Sequence, residues 1–145
     1  MKRKDLLLLL SGSVIYPTLE MAWRGYTHVS MAAAGGVCVF LIDRVCNGYL
    51  QRQCLTARCL AGGTIITSVE LVTGIVVNLI LKLHVWDYSH LPLNILGQVC
   101  LPFTALWMLA TIPAMGLGRF FAQSRRLNLP LFARTGVRLA GADPV

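Results

Sequence analysis

Charged side chains are scarce in this chain. Asp, Glu, Lys and Arg make up 13% of its 145 residues, whereas about a quarter is usual in a soluble domain. Hydrophobic residues make up 56%, the mean hydropathy is +0.66, and the few charges cluster between apolar blocks. This composition argues against a soluble globular protein. It predicts one compact, all-α, polytopic membrane domain with no separate soluble catalytic domain.

Motifs for nucleotide hydrolysis, zinc binding and thiol redox chemistry are also missing. The sequence has no G-x-x-x-x-G-K-[ST] loop and no C-x-x-C pair, and its five cysteines follow no common zinc spacing. No Ser, Cys or His is visibly paired with a base inside an apolar segment. We therefore expect no enzyme activity, no cofactor and no metal site. The alternative for a metal is a folded loop that brings together His84, Asp87 and His90, which are spaced at three residues.

Four apolar segments are long enough to cross a bilayer as helices. They cover about residues 6–23, 29–45, 61–83 and 94–115, in a membrane domain of residues 1–118 that precedes a basic tail of residues 119–145. Of the 13 Lys and Arg residues, only Arg24 and Lys82 fall on the side opposite the termini. Because basic residues accumulate in cytoplasmic loops, we expect a cell-membrane protein with both termini in the cytoplasm. The net charge of +7 then reflects topology and anionic lipid, not nucleic acid.

Two carboxylates interrupt the apolar segments, Glu20 near the end of the first and Glu70 in the middle of the third. Such residues are costly to place in a bilayer and usually face a bundle interior or a water-filled cavity, where they mark a functional path. The two segments also align at a constant offset of 50 residues, which pairs Gly12, Ile15, Thr18, Leu19 and Glu20 with Gly62, Ile65, Ser68, Val69 and Glu70. The alignment predicts two parallel two-helix hairpin repeats, each with one buried acid.

Polar and small residues of the third segment recur at steps of three or four, so they share one helical face that we expect to point inward. They are Gly63, Thr67, Glu70, Gly74 and Asn78. In the functional interpretation, Glu70 and Glu20 face each other and bind a cation or carry protons. In the structural interpretation, Glu20 pairs with Arg24, and Glu70 is hydrogen-bonded by Thr67, Asn78 or a neighbouring helix.

Small residues predict where helices approach closely. Ala32 and Gly36 form a small-x-x-x-small pair in the second segment, and Gly97 is a packing candidate in the fourth. Because four short helices make a thin wall around a path, Ala32 and Gly36 are also candidate contacts for a homo-oligomer. Pro102 and Pro113 are expected to break backbone hydrogen bonds in the fourth helix.

The segment Trp86-Asp87-Tyr88-Ser89 lies in the predicted outer connection, shortly before Pro92, which is suited to begin a helix. One interpretation is an outer gate or recognition loop above the two acids. The other is an interfacial anchor formed by the two aromatic residues, with a turn or helix cap formed by Asp87 and Ser89.

The order of these motifs resembles a known family. An acid in the first segment is followed by an E-x-x-T-G motif, the W-D-Y-S segment, a glycine and a tryptophan, as in the family named "Putative ABC-transporter type IV", also described as CmpB-like permeases. The pattern is similar to that of small eukaryotic four-span proteins with a W-D-Y-S segment. The resemblance covers about residues 12–115 and implies a transport role. The residues that match the family's pattern are Glu20, Glu70, Thr73, Gly74, Trp86, Asp87, Tyr88, Ser89, Gly97 and Trp107.

The leading hypothesis is a permease-like or transport-associated protein with an intramembrane carboxylate site. Glu70 and Glu20 are its centre, Thr73, Gly74 and Asn78 are further ion- or substrate-binding candidates, and the W-D-Y-S segment lies near its outer mouth. The alternative is a non-transporting scaffold or sensor that binds a partner membrane protein. Expected partners are the lipid bilayer and either a second copy, another membrane protein or an ATPase subunit. The arginines expected to contact lipid phosphates or to dock such a subunit are Arg44, Arg52, Arg58, Arg125 and Arg126.

Overall fold

A computed structural model of the chain describes residues 3–127, and the side chains of residues 3–124. The regular elements of the described part are all helices, and one isolated bridge joins Ile95 and Val99. The elements are α1 (Arg3–Arg24), α2 (Val29–Ile42) with a π-helical continuation (Asp43–Tyr49), α3 (Leu55–Gly74) with a π-helical continuation (Ile75–Ile80), and α4 (Leu101–Leu127). Residues 81–100, here called the 81–100 connection, join the last two helices without a helix of their own.

The prediction of four membrane-spanning helices is confirmed. The four stretches long and apolar enough to cross a bilayer are Arg3–Arg24, Val29–Tyr49, Leu55–Ile80 and Leu101–Ser124. Their outward faces carry large apolar side chains, for example Leu10, Val14 and Leu109, which are all more than half exposed. A water-soluble protein rarely exposes such continuous apolar surface, whereas hydrocarbon tails cover it readily.

The fourth helix begins later than expected. Residues 94–100 were predicted to be helical, but Leu96 and Gly97 have positive φ angles of 53° and 66°, a conformation that an α-helix excludes. Helix α4 therefore begins at Leu101 rather than after Pro92, and it continues past residue 115 to Leu127. Pro102 lies in its first turn, where a missing N–H breaks no helical hydrogen bond, so the expected break there was wrong. Pro113 does lie inside the helix.

Glycines set the distance between the helices of each hairpin. A Cβ on Gly12 of α1 would lie 2.8 Å from the Cα of Gly36 and closer still to the backbone of Gly35, both on α2. A Cβ on Gly62 of α3 would collide with Thr111 of α4. Gly36 therefore packs against α1 of the same chain, as expected of a small residue in a helix contact, and is not free to contact a second copy. Ala32, one turn away, is half-buried.

Side-chain contacts define two ends of the bundle. Lys4 of α1 donates to Asp43 at 2.7 Å, next to Gly118 of α4; we call this the terminal end. At the other end, Arg24 donates to the carbonyl of Val85 in the 81–100 connection at 3.3 Å; we call this the loop end. The four helices thus run up and down, with both ends of the described chain at the terminal end.

Gly12→Ala is expected to lower the free energy of unfolding by roughly 1–3 kcal/mol, because the added methyl group meets rigid backbone on α2 and must push the helices apart. The matched control is Gly116→Ala, since a Cβ on Gly116 of α4 meets nothing within 4 Å. The free energy of unfolding of Gly116→Ala should equal that of wild type or be slightly higher. Denaturing-detergent titration of both variants checks the prediction, and equal behaviour of the two would contradict it.

Candidate functional site around Glu70

The carboxylate of Glu70 lies buried among three helices. Its side chain is on α3 and the residue is 2% exposed. Tyr16 of α1 donates its hydroxyl to Oε1 at 2.8 Å, and Trp107 of α4 donates its indole N–H to Oε2 at 2.6 Å. Among the described residues, neither oxygen forms an ion pair. Two neutral donors from two other helices therefore hold the acid in place.

Aromatic rings surround this carboxylate and continue towards the loop end. The ring of Tyr16 lies 5.8 Å from that of Trp107, which in turn lies 6.1 Å from Phe103. Phe103 stacks on Tyr88 of the W-D-Y-S segment with centroids 4.7 Å apart. The row excludes water from one side of Glu70 and connects it by direct packing to the 81–100 connection.

Glu20 forms a separate ion pair near the loop end. Arg24, one turn further along α1, donates to Oε1, and the hydroxyl of Thr27 donates to Oε2 at 2.6 Å. The pair lies close enough to Glu70 for electrostatic interaction, but Glu20 and Glu70 share no hydrogen-bond partner. Of the two interpretations of Glu20, pairing with Arg24 is the one observed.

The other polar and small residues of the third segment do not converge on Glu70. Glu70 is bonded by Tyr16 and Trp107 rather than by Thr67, which donates to Thr104 of α4 at 3.1 Å. Thr73 is half-buried and lines an apolar groove between α2 and α3. Gly74 lies against Gln98, whose Oε1 would be 2.5 Å from a Cβ at this position.

Asn78 binds the 81–100 connection and does not contact Glu70. Its amide donates to the carbonyl of Trp86 at 3.0 Å and to Gln98 Oε1 at 2.8 Å, and its Oδ1 accepts from the backbone N–H of Val85 at 2.7 Å. Asn78 and Gln98 are both only 4% exposed. All three hydrogen bonds of this side chain go to residues of the 81–100 connection, so its observed role is to fix that segment.

The W-D-Y-S segment combines a buried tryptophan with a surface turn. Trp86 is 5% exposed and donates its indole N–H to the carbonyl of Gln98 at 2.9 Å, so the expectation of an interfacial anchor is wrong for this residue. Asp87 accepts from the backbone N–H of Ser89 at 2.8 Å and from its hydroxyl at 2.5 Å. These two hydrogen bonds lower the pKa of the Asp87 carboxyl, since they favour its ionised form.

Gly97 is part of the same turn. It was predicted from the sequence to pack between helices, and this prediction was wrong. Its carbonyl accepts from the backbone N–H of Tyr88 at 2.7 Å. Its positive φ and the 2.7 Å that would separate a Cβ from Asp87 Oδ1 both require glycine.

The histidines show no metal arrangement: within residues 3–127, no group of three or more His, Cys, Asp or Glu could hold a metal ion.

A network at the terminal end was missed by the sequence patterns. Asn47 donates to Asp43 at 3.1 Å and to the carbonyl of Met115 on α4 at 2.9 Å, and Arg58 of α3 donates to Asn47 Oδ1 at 2.7 Å. Together with Lys4, which bonds Asp43, this network joins all four helices. Its only signal in the sequence is a set of polar residues near the ends of apolar segments.

Arg58 was expected to contact lipid phosphates, but it belongs to this buried network instead. It is 7% exposed and donates Nε to the carbonyl of Cys46 at 2.9 Å. Arg44 pairs with Asp5 at 3.0 Å and is half-exposed, and Arg52 is exposed. The side chains of Arg125 and Arg126 are outside the described part, as are residues 128–145 of the predicted tail.

Residues 31–135 match the model of the family named "Putative ABC-transporter type IV". The chain belongs to this family. The matched range contains Glu70 and Trp107 and the whole 81–100 connection, whereas Tyr16 and Glu20 precede it. Together with the four apolar helices, family membership makes the chain a multi-pass membrane protein of a family named for transport rather than for catalysis. Searches among curated proteins and among solved structures find no match.

Proposed function

We propose that this "Putative ABC-transporter type IV" family member is a permease-like or transport-associated protein of the cell membrane whose binding site is the Glu70 carboxylate. The observation that carries the proposal is the position of this acid: it lies in a membrane-spanning helix, is 2% exposed, and is held by neutral donors from α1 and α4. A buried acid without a paired cation is expensive in a bilayer, and a structural tie between helices needs only neutral groups. Binding of a positively charged species explains why an acid, rather than a neutral side chain, stands at this position.

Glu20 belongs to the same proposed path at its loop end. Its side chain is 12% exposed and that of its partner Arg24 is 19% exposed, so this ion pair lies between the surface and the buried acid. An ion pair at this position screens Glu70 and can exchange partners with an arriving charge. Thr73 and Gly74 flank the path in this proposal, and Asn78 shapes its mouth by fixing the 81–100 connection.

The topology proposed with this function places the terminal end in the cytoplasm. Lys4, Arg44, Arg52 and Arg58 all lie towards that end, whereas Arg24 and Lys82 lie towards the other. This asymmetry supports cytoplasmic termini. The close helix approaches at Gly12 and Gly62, which are 50 residues apart, support two parallel hairpin repeats in one membrane domain of residues 1–118. Contact of exposed terminal-end arginines with lipid phosphates or with an ATPase subunit is part of the same proposal.

Glu70→Gln is expected to reduce proton or alkali-cation flux into liposomes by about tenfold or more, because the amide keeps the size of the acid and can accept from Trp107 and donate to Tyr16, but has no charge and no exchangeable carboxyl proton. The measurement uses purified protein in vesicles with pH- and cation-sensitive dyes. Asp143→Asn is the matched control, since it makes the same chemical change in an acid beyond Ser124, where the last candidate span ends. Flux that is equal in wild type and Glu70→Gln, with the variant folded, would count against the site.

The second candidate function is a non-transporting scaffold or sensor that binds a partner membrane protein. The observation that favours it is an open apolar groove of about 540 Å³ between α2 and α3. The lining is mostly small or β-branched and comprises Ser30, Ala33, Ala34, Val37, Ser68, Val69, Val72, Thr73, Val76 and Val77, a composition that lets a further helix approach closely. A scaffold should keep partner binding in Glu70→Gln and lose it when Ala33, which is exposed and lines the groove, is replaced by Leu.

A further inference from the structure

The two oxygens of Glu70 have partners of different chemistry. The indole N–H of Trp107 can only donate a hydrogen bond, whereas the hydroxyl of Tyr16 can donate or accept. Oε2, which faces Trp107, must therefore remain an acceptor in every state of the site. Oε1, which faces Tyr16, can carry a proton and donate it back to the tyrosine oxygen. The site can be satisfied both with an ionised and with a protonated carboxyl group.

This asymmetry leads to a proposal that rests on the proposed function. We propose that the species bound at Glu70 is a proton, which reaches Oε1 through the hydroxyl of Tyr16 from the loop end. The Tyr16 hydroxyl passes its proton to Oε1 while its oxygen receives another from a hydronium ion on the loop-end side, which becomes a water molecule. The tyrosine keeps one O–H bond, the carboxylate gains one and loses its charge, and the reverse exchange releases the proton.

A metal cation fits this site less well than a proton. Hard metal ions need several oxygen ligands, but the two groups bonded to Glu70 each aim a hydrogen at its oxygens. No second carboxylate shares a hydrogen-bond partner with Glu70 within the described residues, because both oxygens of Glu20 are taken by Arg24 and Thr27. A proton needs one oxygen and one partner that can reverse its hydrogen bond, and Tyr16 is that partner.

The direction of entry follows from α1. Tyr16, Glu20 and Arg24 are spaced at four residues and lie on one face of this helix, so polar side chains lead from Glu70 to the loop end. The other oxygen of the carboxylate is bonded by Trp107, which cannot accept a proton. Among the described residues, the titratable or charged groups that interact with Glu70 are Tyr16, Glu20 and Arg24 of α1, Cys38 of α2, and Tyr88 of the 81–100 connection.

The first test is infrared spectroscopy of the full-length protein in phospholipid vesicles as the pH is changed. The chain has six Asp and Glu residues, so the signal is the carboxylic-acid band that appears in wild type as the pH falls and is missing from the same titration of Glu70→Gln. Asp143→Asn, which changes an acid beyond Ser124, where the last candidate span ends, should keep the band. A Glu70-dependent band that stays constant over the whole range, or is never seen, overturns the proton assignment. Cation flux that still needs Glu70 would then leave the proposed function standing.

The second test is the rate of proton entry after a pH jump in the same vesicles. Tyr16→Phe keeps the ring beside Trp107 but removes the hydroxyl, and it should slow entry by about tenfold or more. Trp107→Phe removes the other donor to Glu70, which never handles the proton, and it should slow entry clearly less than Tyr16→Phe does. Equal slowing by both variants would make Tyr16 a merely structural donor and overturn the route. If Glu70→Gln does not fold, this comparison and a Tyr16-dependent shift of the carboxylic band still decide the proposal.

Discussion

Asn78→Ala is expected to lower the free energy of unfolding by roughly 3 kcal/mol or more and to loosen the 81–100 connection. The substitution removes three hydrogen bonds at once and leaves the Trp86 carbonyl, the Val85 N–H and Gln98 Oε1 without this partner. A buried polar group left unpaired costs about 1–3 kcal/mol. Denaturing-detergent titration followed by tryptophan fluorescence is a suitable measurement, because Trp86 belongs to this connection and is buried in the folded chain.

Asn94→Ala is the matched control for this experiment. Asn94 lies in the same connection and also makes three hydrogen bonds, to Ser89, Leu91 and Gly97. These bonds are exposed or only partly buried, so water can replace them, and the expected loss is about 1 kcal/mol or less. Similar losses for the two variants would mean that burial does not decide the contribution, and would contradict the assignment of Asn78 as the residue that fixes the connection.

The grouping of Asn78 with Glu70 shows where sequence reasoning stops. An ideal α-helix places both on one face, since they are two turns apart. After Gly74, however, α3 continues as a π-helical segment, Ile75–Ile80, whose wider turn changes the direction of the side chains that follow. Asn78 consequently points at the connection. No residue pattern in this apolar stretch predicts the change of helix type.

The partners of Glu70 were also beyond the reach of the sequence. The four helices follow from composition, because long apolar runs have few alternatives in a bilayer, and Glu70 was found as the charge within one of them. Its hydrogen bond to Tyr16 spans 54 residues and that to Trp107 spans 37. Such pairs depend on how helices rotate about their axes, which the similar hydrophobicity of all helix faces leaves undetermined.

Asn47 has the corresponding position at the terminal end, since it too lies in a π-helical segment and connects elements through its amide. Asn47→Leu keeps a similar side-chain volume and is expected to lower the free energy of unfolding by roughly 3 kcal/mol. The loss comes mainly from the hydrogen bond of Arg58, because bonds to charged groups contribute about 1.5–3 kcal/mol. The Met115 carbonyl and Asp43 lose a donor as well. Denaturing-detergent titration in the same format as for Asn78 measures the effect.

Gln51→Leu is the control that separates this network from a general effect of removing an amide. Gln51 is exposed and lies two residues beyond the π-helical segment that holds Asn47, and its replacement should change stability by no more than about 0.5 kcal/mol. The network also predicts coupling, because Asn47 is the link between Arg58 and Asp43 in the described part of the chain. Arg58→Met should therefore cost less in the Asn47→Leu background than in wild type. Additive losses would show that Arg58 is held by the Cys46 carbonyl alone and that the four helices are not joined through Asn47.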